Sequence, residues 1–373
     1  MNDNFETQEI LVNFGPQHPS THGVLRVVAK TDGEIIREVY PKIGFLHRCF
    51  EKVAENLQYA QVIPYTDRLD YLSSMNNEIA YCLGVENLLN IELPKRASYI
   101  RVIVAELNRI ASHLIAFGSY ALDLGAYTPF LYAFREREYI ISIFEKLSGN
   151  RLLYNYNKIG GVSRDFDDEI VKEIKEFVKI MSKAIKEYHT LVSENLIFIK
   201  RTANVGVISK EDAISYALTG PCLRGSSVKF DLRKNAPYLS YSDFDFDIPI
   251  GKGYKGTVGD SFDRYYVRLL EIEESLKIIS QAINNLPEGD FKLKLSKILK
   301  PNKGECYIPC ENPKGELGFY IVSDGTNKPY RVKARGASFC NLSILSHICK
   351  DILVADLITI IGSLDIVLGD VDR

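Results

Sequence analysis

The side chains best suited to chemistry gather first in residues 15–23, GPQHPSTHG, which hold two of the chain's six histidines, His18 and His22. Pro16 and Pro19 oppose a helix here, and Pro19 also biases His18 away from helical torsions. Gly15 and Gly23 supply turns at either end. Spaced four apart, the imidazoles would share a helix face as metal ligands, but no HExxH pattern accompanies them. On a loop the pair would offer a proton donor or hydrogen-bond partner to a ligand, or simply cap turns. Tyr71 lies in YTDRLDY with Asp67, Arg68 and Asp70 close by. A helix through this stretch puts Arg68 and Tyr71, three apart, on one face. A buried phenol beside charges can donate to a carbonyl oxygen, although with 22 tyrosines in the chain plain packing is the rival account. Asp123 stands in apolar ALDLGA. A carboxylate buried there calls for a partner, and a loop histidine would serve, as would any ordinary core donor.

Residues 10–14 and 24–28 read as strands flanking the histidine loop, and Asp32-Gly33 signals a second hairpin into a strand over 33–40. Helical periodicity covers 67–90 and 98–124, parted by Pro94, then 129–147, closed by Gly149-Asn150. The most regular stretch is 166–199, where Ile170, Ile174, Phe177, Val178, Met181, Ile185 and Leu191 share a face. A further helix is expected over 260–286, strands over 303–335 and a C-terminal helix over 342–361. The fold class is therefore α+β, mainly α: a helical bundle with small β units near both ends. Its expected parts are an N-terminal β unit with the loop (1–50), the bundle (51–302), and a β segment and helix (303–373) packed as one domain with the bundle.

A chain of 373 residues can bury a large core, and a net charge of −2 with 25% charged residues gives no polyanion-binding surface, so no nucleic acid is expected as a partner. The opening MNDNFETQE is acidic and polar, unlike a secretory signal. Seven cysteines, Cys49, Cys82, Cys222, Cys306, Cys310, Cys340 and Cys349, lack any CxxC spacing and read as reduced, small apolar fillers in a cytoplasmic setting. Residues 113–134 are long enough for a bilayer. Asp123, Gly118, Gly125 and Pro129 within them, and the charged residues 135–138 after them, favour a buried helix pair in a soluble chain that rests on a membrane partner. GKGYKG at 251–256 satisfies GxGxxG as a string. Because four residues intervene before the next helix and no parallel strand follows, it reads as a glycine-rich loop rather than a nucleotide cradle.

GPQHPSTHGVLR, LHR followed by EK, YTDRLDY, PKRASYIRV, ELNRIASHL, ALDLGAYTPF, FREREY, TGPCLRGS, DLRKNAPY, PKGELGFYIVSDG and LGDVDR run in order along almost the whole chain. With them it resembles the family of quinone-site subunits, designated D, of NADH:quinone oxidoreductase (respiratory complex I), which descends from the large subunits of nickel–iron hydrogenases. Such hydrogenases hold their metals with two cysteine pairs. Here YTDRLDYLSS and LDIVLGDVDR stand in those places without a cysteine, which removes nickel chemistry.

The resemblance implies that His22 and Tyr71 hydrogen-bond the quinone headgroup carbonyls and that Asp123 pairs with the histidine. Reducing a quinone takes two electrons and two protons, so its oxygens need donors within reach. It also implies no cofactor and no metal bound by this chain, and electrons arriving from a four-iron, four-sulfur cluster in a partner subunit, with Arg48 near that cluster. Implied partners are the other complex I subunits: the one designated B, which carries the terminal cluster, those designated C and I, and the membrane one designated H. The implied place is peripheral, on the cytoplasmic face of the cell membrane, in a proton-pumping assembly outside which the chain is inert. Departures from the family pattern are Ser163 where some members carry histidine, Tyr132 for a tryptophan, and Cys340 and Ile352 where histidines are common. Two other readings stand beside this one. One is the same subunit in a ferredoxin- or deazaflavin-fed complex. The other is a structural or assembly relative, against which the intact His22, Tyr71 and Asp123 speak.

Overall fold

Alternating apolar and polar residues build the first sheet in the computed structural model, which describes residues 9–17 and 23–373. Strands β1 (Glu9–Phe14), β2 (Arg26–Asp32) and β3 (Ile35–Lys42) pair antiparallel, with Phe14 opposite Val27 and Asp32 opposite Ile35. Gly33 turns the second hairpin at φ 60, a left-handed value that suits glycine. Val27 and Ala29 face inward with a period of two, and a β-bulge opposite Lys30 and Thr31 turns both Ile36 and Val39, three apart, to the same buried face.

Helices α1 (Phe50–Ala54), α2 (Tyr59–Thr66) and α3 (Ser74–Leu89) lead into α4 (Lys95–Asp123) and α5 (Tyr127–Ser148). Short strands β4 (Asn157–Lys158) and β5 (Gly161–Val162) come before α6 (Asp168–Tyr188). A π turn (His189–Ser193) separates α6 from α7 (Leu196–Thr202); α8 (Lys210–Ser215), α9 (Gly220–Gly225) and α10 (Leu232–Asn235) precede the long α11 (Ser261–Asn284). Strands β6 (Gly304–Asn312), β7 (Gly315–Ser323) and β8 (Arg331–Arg335) form an antiparallel meander. The chain continues through α12 (Ala337–Leu342), α13 (Leu345–Ile348), β9 (Ile352–Leu353), α14 (Val354–Leu364) and α15 (Leu368–Asp372). The fold is α+β and mainly α.

Helix α6 shows how sequence dictates the bundle. Asp167 caps it by accepting from the Ile170 amide at 2.9 Å, and Ile170, Ile174, Phe177, Met181 and Ile185 recur at helical spacing on its buried face. Each such side chain, fully buried, contributes about 1.5–3 kcal/mol. Helix α4 differs, because it is buried nearly all round among α3, α5, α11 and α14. A second core lies between the first sheet and α12–α15, and a third between α1–α3 and the meander. Among the described residues no helix is long and apolar enough to cross a membrane.

Three expected helices are corrected. Residues 67–73 are not helical, so the 67–90 helix starts only at Ser74. The 166–199 helix is broken by the π turn. The helix over 342–361 is split, because Asp351 takes a left-handed φ of 56 and Ile352 and Leu353 pair as β9 with Ile36 and Ile35 of β3.

Candidate functional site

Residues 67–73 leave the helix because side chains from α3 and α4 capture their carbonyls. Asn77 Nδ2 donates to Thr66 O at 3.1 Å and to Asp70 O at 2.8 Å. Asn108 Nδ2 donates to Leu72 O at 3.0 Å, while its Oδ1 accepts from the Met75 amide at 2.9 Å. Ser74 Oγ lies 3.1 Å from Asp67 O and 3.3 Å from Tyr71 O. The loop is thus fixed from behind, and Tyr71 projects from it half-buried. Among the described residues charges surround the phenol rather than hydrogen bonds: burial raises its pKa, Asp70 raises it further, and Lys314 and Arg48 pull it down. Arg68 and Tyr71 share no helix face, which corrects the helical reading of this stretch.

Lys314, in the turn between β6 and β7, is a buried cation. Its Nζ donates to Ser112 Oγ at 2.8 Å and lies 3.6 Å from both Asp70 Oδ2 and Asp365 Oδ2. Burial would depress this ammonium, but Asp365 and Asp70 outweigh it and raise its pKa. Asp365 also faces Arg268 Nε at 3.7 Å. Asp370 is buried nearby, and burial, reinforced by Asp70, pushes its carboxyl up to about 6.

The segment through residues 365–373, which carries α15, is the hub on which the site segments meet. Asp372 accepts the amides of Gly44 (2.8 Å) and Leu46 (2.7 Å), and its carbonyl lies 2.7 Å from His47 Nδ1. The Arg48 amide donates to Arg373 O at 3.2 Å, and its exposed guanidinium donates to Arg68 O at 2.5 Å. Gly369 passes so close that a Cβ there would sit 2.4 Å from Leu69 O. A Cβ on Gly23, where the described chain resumes after the histidine loop, would lie 3.9 Å from Leu368. Arg48 and Tyr71, far apart in sequence, are therefore neighbours.

Asp123 ends α4, half-buried. Its Oδ2 lies 3.7 Å from where a Cβ on Gly362 of α14 would be, and Asp365, at the C-terminal end of that same helix, faces Lys314. The end of α14 thus links Asp123 to the Tyr71 cluster. His22 and His18 lie outside the described residues. Cys49 is exposed and lines a cleft of about 280 Å³ with His47, Lys52 and Arg331, which corrects its reading as an apolar filler. Cys82, Cys222, Cys310 and Cys349 are buried.

Comparison with known proteins identifies the family. The family model of the respiratory-chain NADH dehydrogenase 49 Kd subunit matches residues 123–303 and 290–373. A Chlorobaculum tepidum protein, named as the NADH-quinone oxidoreductase subunit designated D, is 52% identical over 372 residues, covering 99% of this chain and 93% of the relative. A Bacillus cereus protein of the same name is 54% identical over 367 residues, covering 98% of this chain and 99% of the relative. The chain belongs to this family.

In this member of the 49 Kd subunit family, a belt of buried charge that the sequence reading missed crosses the bundle. Glu106 meets Arg233 at 3.0 Å, and Arg224 meets both Glu271 and Glu311 at 2.7 Å. His113 Nε2 lies 2.9 Å from Glu271. Burial pushes the imidazole down to about 4, so it is neutral at pH 7 and donates Nε2–H to the carboxylate. A run of Arg, Glu and His at helical spacing within a long apolar helix was the available signal. The glycine-rich loop at 251–256 also finds its role in the family fold. The amides of Gly253 and Tyr254 donate to the Asp263 carboxylate at 2.8 and 3.0 Å, so the loop cradles an internal anion.

Proposed function

We propose that this chain helps form the quinone-reduction site of a proton-pumping NADH:quinone oxidoreductase. The observation that carries the reading is Tyr71: a half-buried phenol on a loop fixed by Asn77 and Asn108, with no hydrogen bond to its hydroxyl among the described residues. Such a hydroxyl is free to donate to a quinone carbonyl, and its preset position lowers the entropy cost of doing so. Arg48 and Lys314 supply positive charge beside it, which favours the charge that builds on the quinone oxygen as electrons arrive. His22 would donate to the second carbonyl, and Asp123 would hold that imidazole protonated. Electrons would come from an iron–sulfur cluster in the partner designated B, near Arg48. The partners designated C and I and the membrane partner designated H would complete the surroundings, at the cytoplasmic face of the membrane. The chain alone would be inert, since its electrons would come from the partner's cluster.

Tyr71→Phe in the assembled complex tests this. The clusters should be reduced by the donor at the wild-type rate while quinol formation falls about tenfold or more, the loss expected when a positioned proton donor is removed. Unchanged turnover at every quinone concentration would remove Tyr71 from the site.

A further inference from the structure

Behind the Tyr71 loop lie two carboxyl side chains that the proposed chemistry does not use. Asp67 opens the loop and Glu78 lies one turn into α3; both are completely buried. One oxygen of each is well supplied with donors from the 155–157 turn. Asp67 Oδ2 accepts the Asn155 amide at 3.0 Å. Glu78 Oε2 accepts the amides of Tyr156 (3.0 Å) and Asn157 (2.6 Å) and Asn157 Nδ2 (3.0 Å). The other two, Asp67 Oδ1 and Glu78 Oε1, are buried with no donor among the described residues, and the same 155–157 turn holds both carboxyls side by side. No Lys, Arg or His lies within ion-pair distance of either carboxyl among the described residues.

Two buried carboxyls on one turn, each with an oxygen lacking a donor and neither with a cation beside it, call for a proton between them, because two neighbouring anions in a dry interior repel each other with nothing to offset their lost hydration. We propose that Asp67 and Glu78 share one proton at neutral pH, and that this acid–carboxylate pair is a positioning element that clasps the Tyr71 loop to α3. The functional consequence rests on the reading of Tyr71 as a quinone contact; the shared proton does not.

The surrounding charges leave the pair intact. Arg68 on the loop and Lys158 beyond the turn pull the carboxyls toward ionisation from a distance, and Arg101 of α4 also senses Glu78. Tyr154 and Tyr156 of the turn and Cys82 of α3 face the pair as neutral groups. Burial is the largest influence on both carboxyls and raises both, Asp67 further by the nearness of Glu78. The sign follows: a raised pKa in the folded state means that the clasp holds at low and neutral pH and is lost as pH rises through the folded value.

The test uses the assembled complex with Asp67→Asn, whose amide donates to Glu78 at every pH, and Asp67→Ala, which leaves Glu78 Oε1 without a donor. Wild type should show the infrared carbonyl stretch of a protonated carboxylic acid that Asp67→Asn lacks at pH 7. The KM for quinone should climb at alkaline pH in wild type, stay flat in Asp67→Asn, and be raised at all pH in Asp67→Ala. Should Asp67→Asn not assemble, Glu78→Gln asks the same question, its amide donating to Asp67. No lost carboxylic acid band at pH 7 overturns the shared proton, whatever Tyr71→Phe has shown. A lost band with an alkaline rise in KM parallel to wild type overturns the positioning role.

Discussion

Replacing Lys314 with methionine removes the cation from between Asp70 and Asp365 while keeping most of the side-chain volume. At 3.6 Å from each carboxylate, and with an effective dielectric constant of about 20, each attraction amounts to about 4–5 kcal/mol. Much of that gross sum is offset by the cost of burying the ammonium, so the net loss expected for breaking a buried pair is about 3–5 kcal/mol. The loss should fall locally, on the loop at 67–73 and the β6–β7 turn, which the cation joins. Hydrogen exchange of the assembled complex reads this directly. Amides protected through these contacts should exchange roughly 100- to several-thousand-fold faster, since each 1.4 kcal/mol is tenfold. Adding Asp365→Asn, which suits the left-handed φ of 53 at that position, removes one stranded charge and should restore part of the protection, a non-additivity of about 1–3 kcal/mol. Exchange within a factor of about five of wild type, close to 1 kcal/mol, would refute the reasoning, as would costs that simply add.

Gly369→Ala places a methyl 2.4 Å from Leu69 O; the contact is with backbone, so the Tyr71 loop must shift. The expected cost is about 1–3 kcal/mol, with quinol formation slowed several-fold and cluster reduction unchanged; activity equal to wild type would show that the loop tolerates displacement. Asp370→Asn should stabilise the assembled complex against thermal unfolding at pH 8. The wild-type carboxyl, raised to about 6 when folded, contributes its full stability below its unfolded pKa and loses it as pH rises through 6, a difference of about 3 kcal/mol. The advantage of the variant should therefore shrink as pH is lowered to 5, and a constant advantage would contradict the titration.

What could be read from the sequence was whatever is set by local pattern. The β1–β2 hairpin, the Asp32-Gly33 turn, the long helices around Ile110 and Ile174 and the β6–β8 meander all follow from periods of 2 or 3.6 and their punctuating glycines. The breaks were not legible. Residues 67–73 carry helix-compatible spacing, and side chains outside the stretch, Asn77, Asn108, Ser74 and Arg48, draw their carbonyls away. Likewise Ile352 and Leu353 fit a helix by themselves and become a strand because the edge of β3, more than 300 residues earlier in the chain, accepts them. Asp123 stood out locally as a carboxylate in apolar ALDLGA and Tyr71 as a phenol among charges, but their roles, and Arg48 altogether, came from resemblance, since little local marks one of 22 tyrosines or one of many charges. Lys314, Asp365 and Asp370 escaped notice for the same reason, since a buried lysine and a surface lysine are the same letter. The Asp67–Glu78 pair needed coordinates, because eleven residues and a helix start separate its members.

The convergence on residues 365–373 also imposes an order in time. Gly44, Leu46, Arg48 and Leu69 make their contacts with a segment some 300 residues downstream. At a synthesis rate of about 5–20 residues per second, the Tyr71 segment spends roughly 15–60 s on the ribosome before that segment exists. Helices such as α4 and α6 close their own backbone hydrogen bonds in microseconds, although α11, and for α4 also α14, must still arrive to cover them. The Tyr71 loop, by contrast, gains its Gly369 contact, its Arg48 anchor and the Asp365 counter-charge of Lys314 only after residues 365–373 emerge. This site therefore cannot be completed before the last residues of the chain are made, and any product cut short before residue 365 would carry Tyr71 without the contacts that aim it.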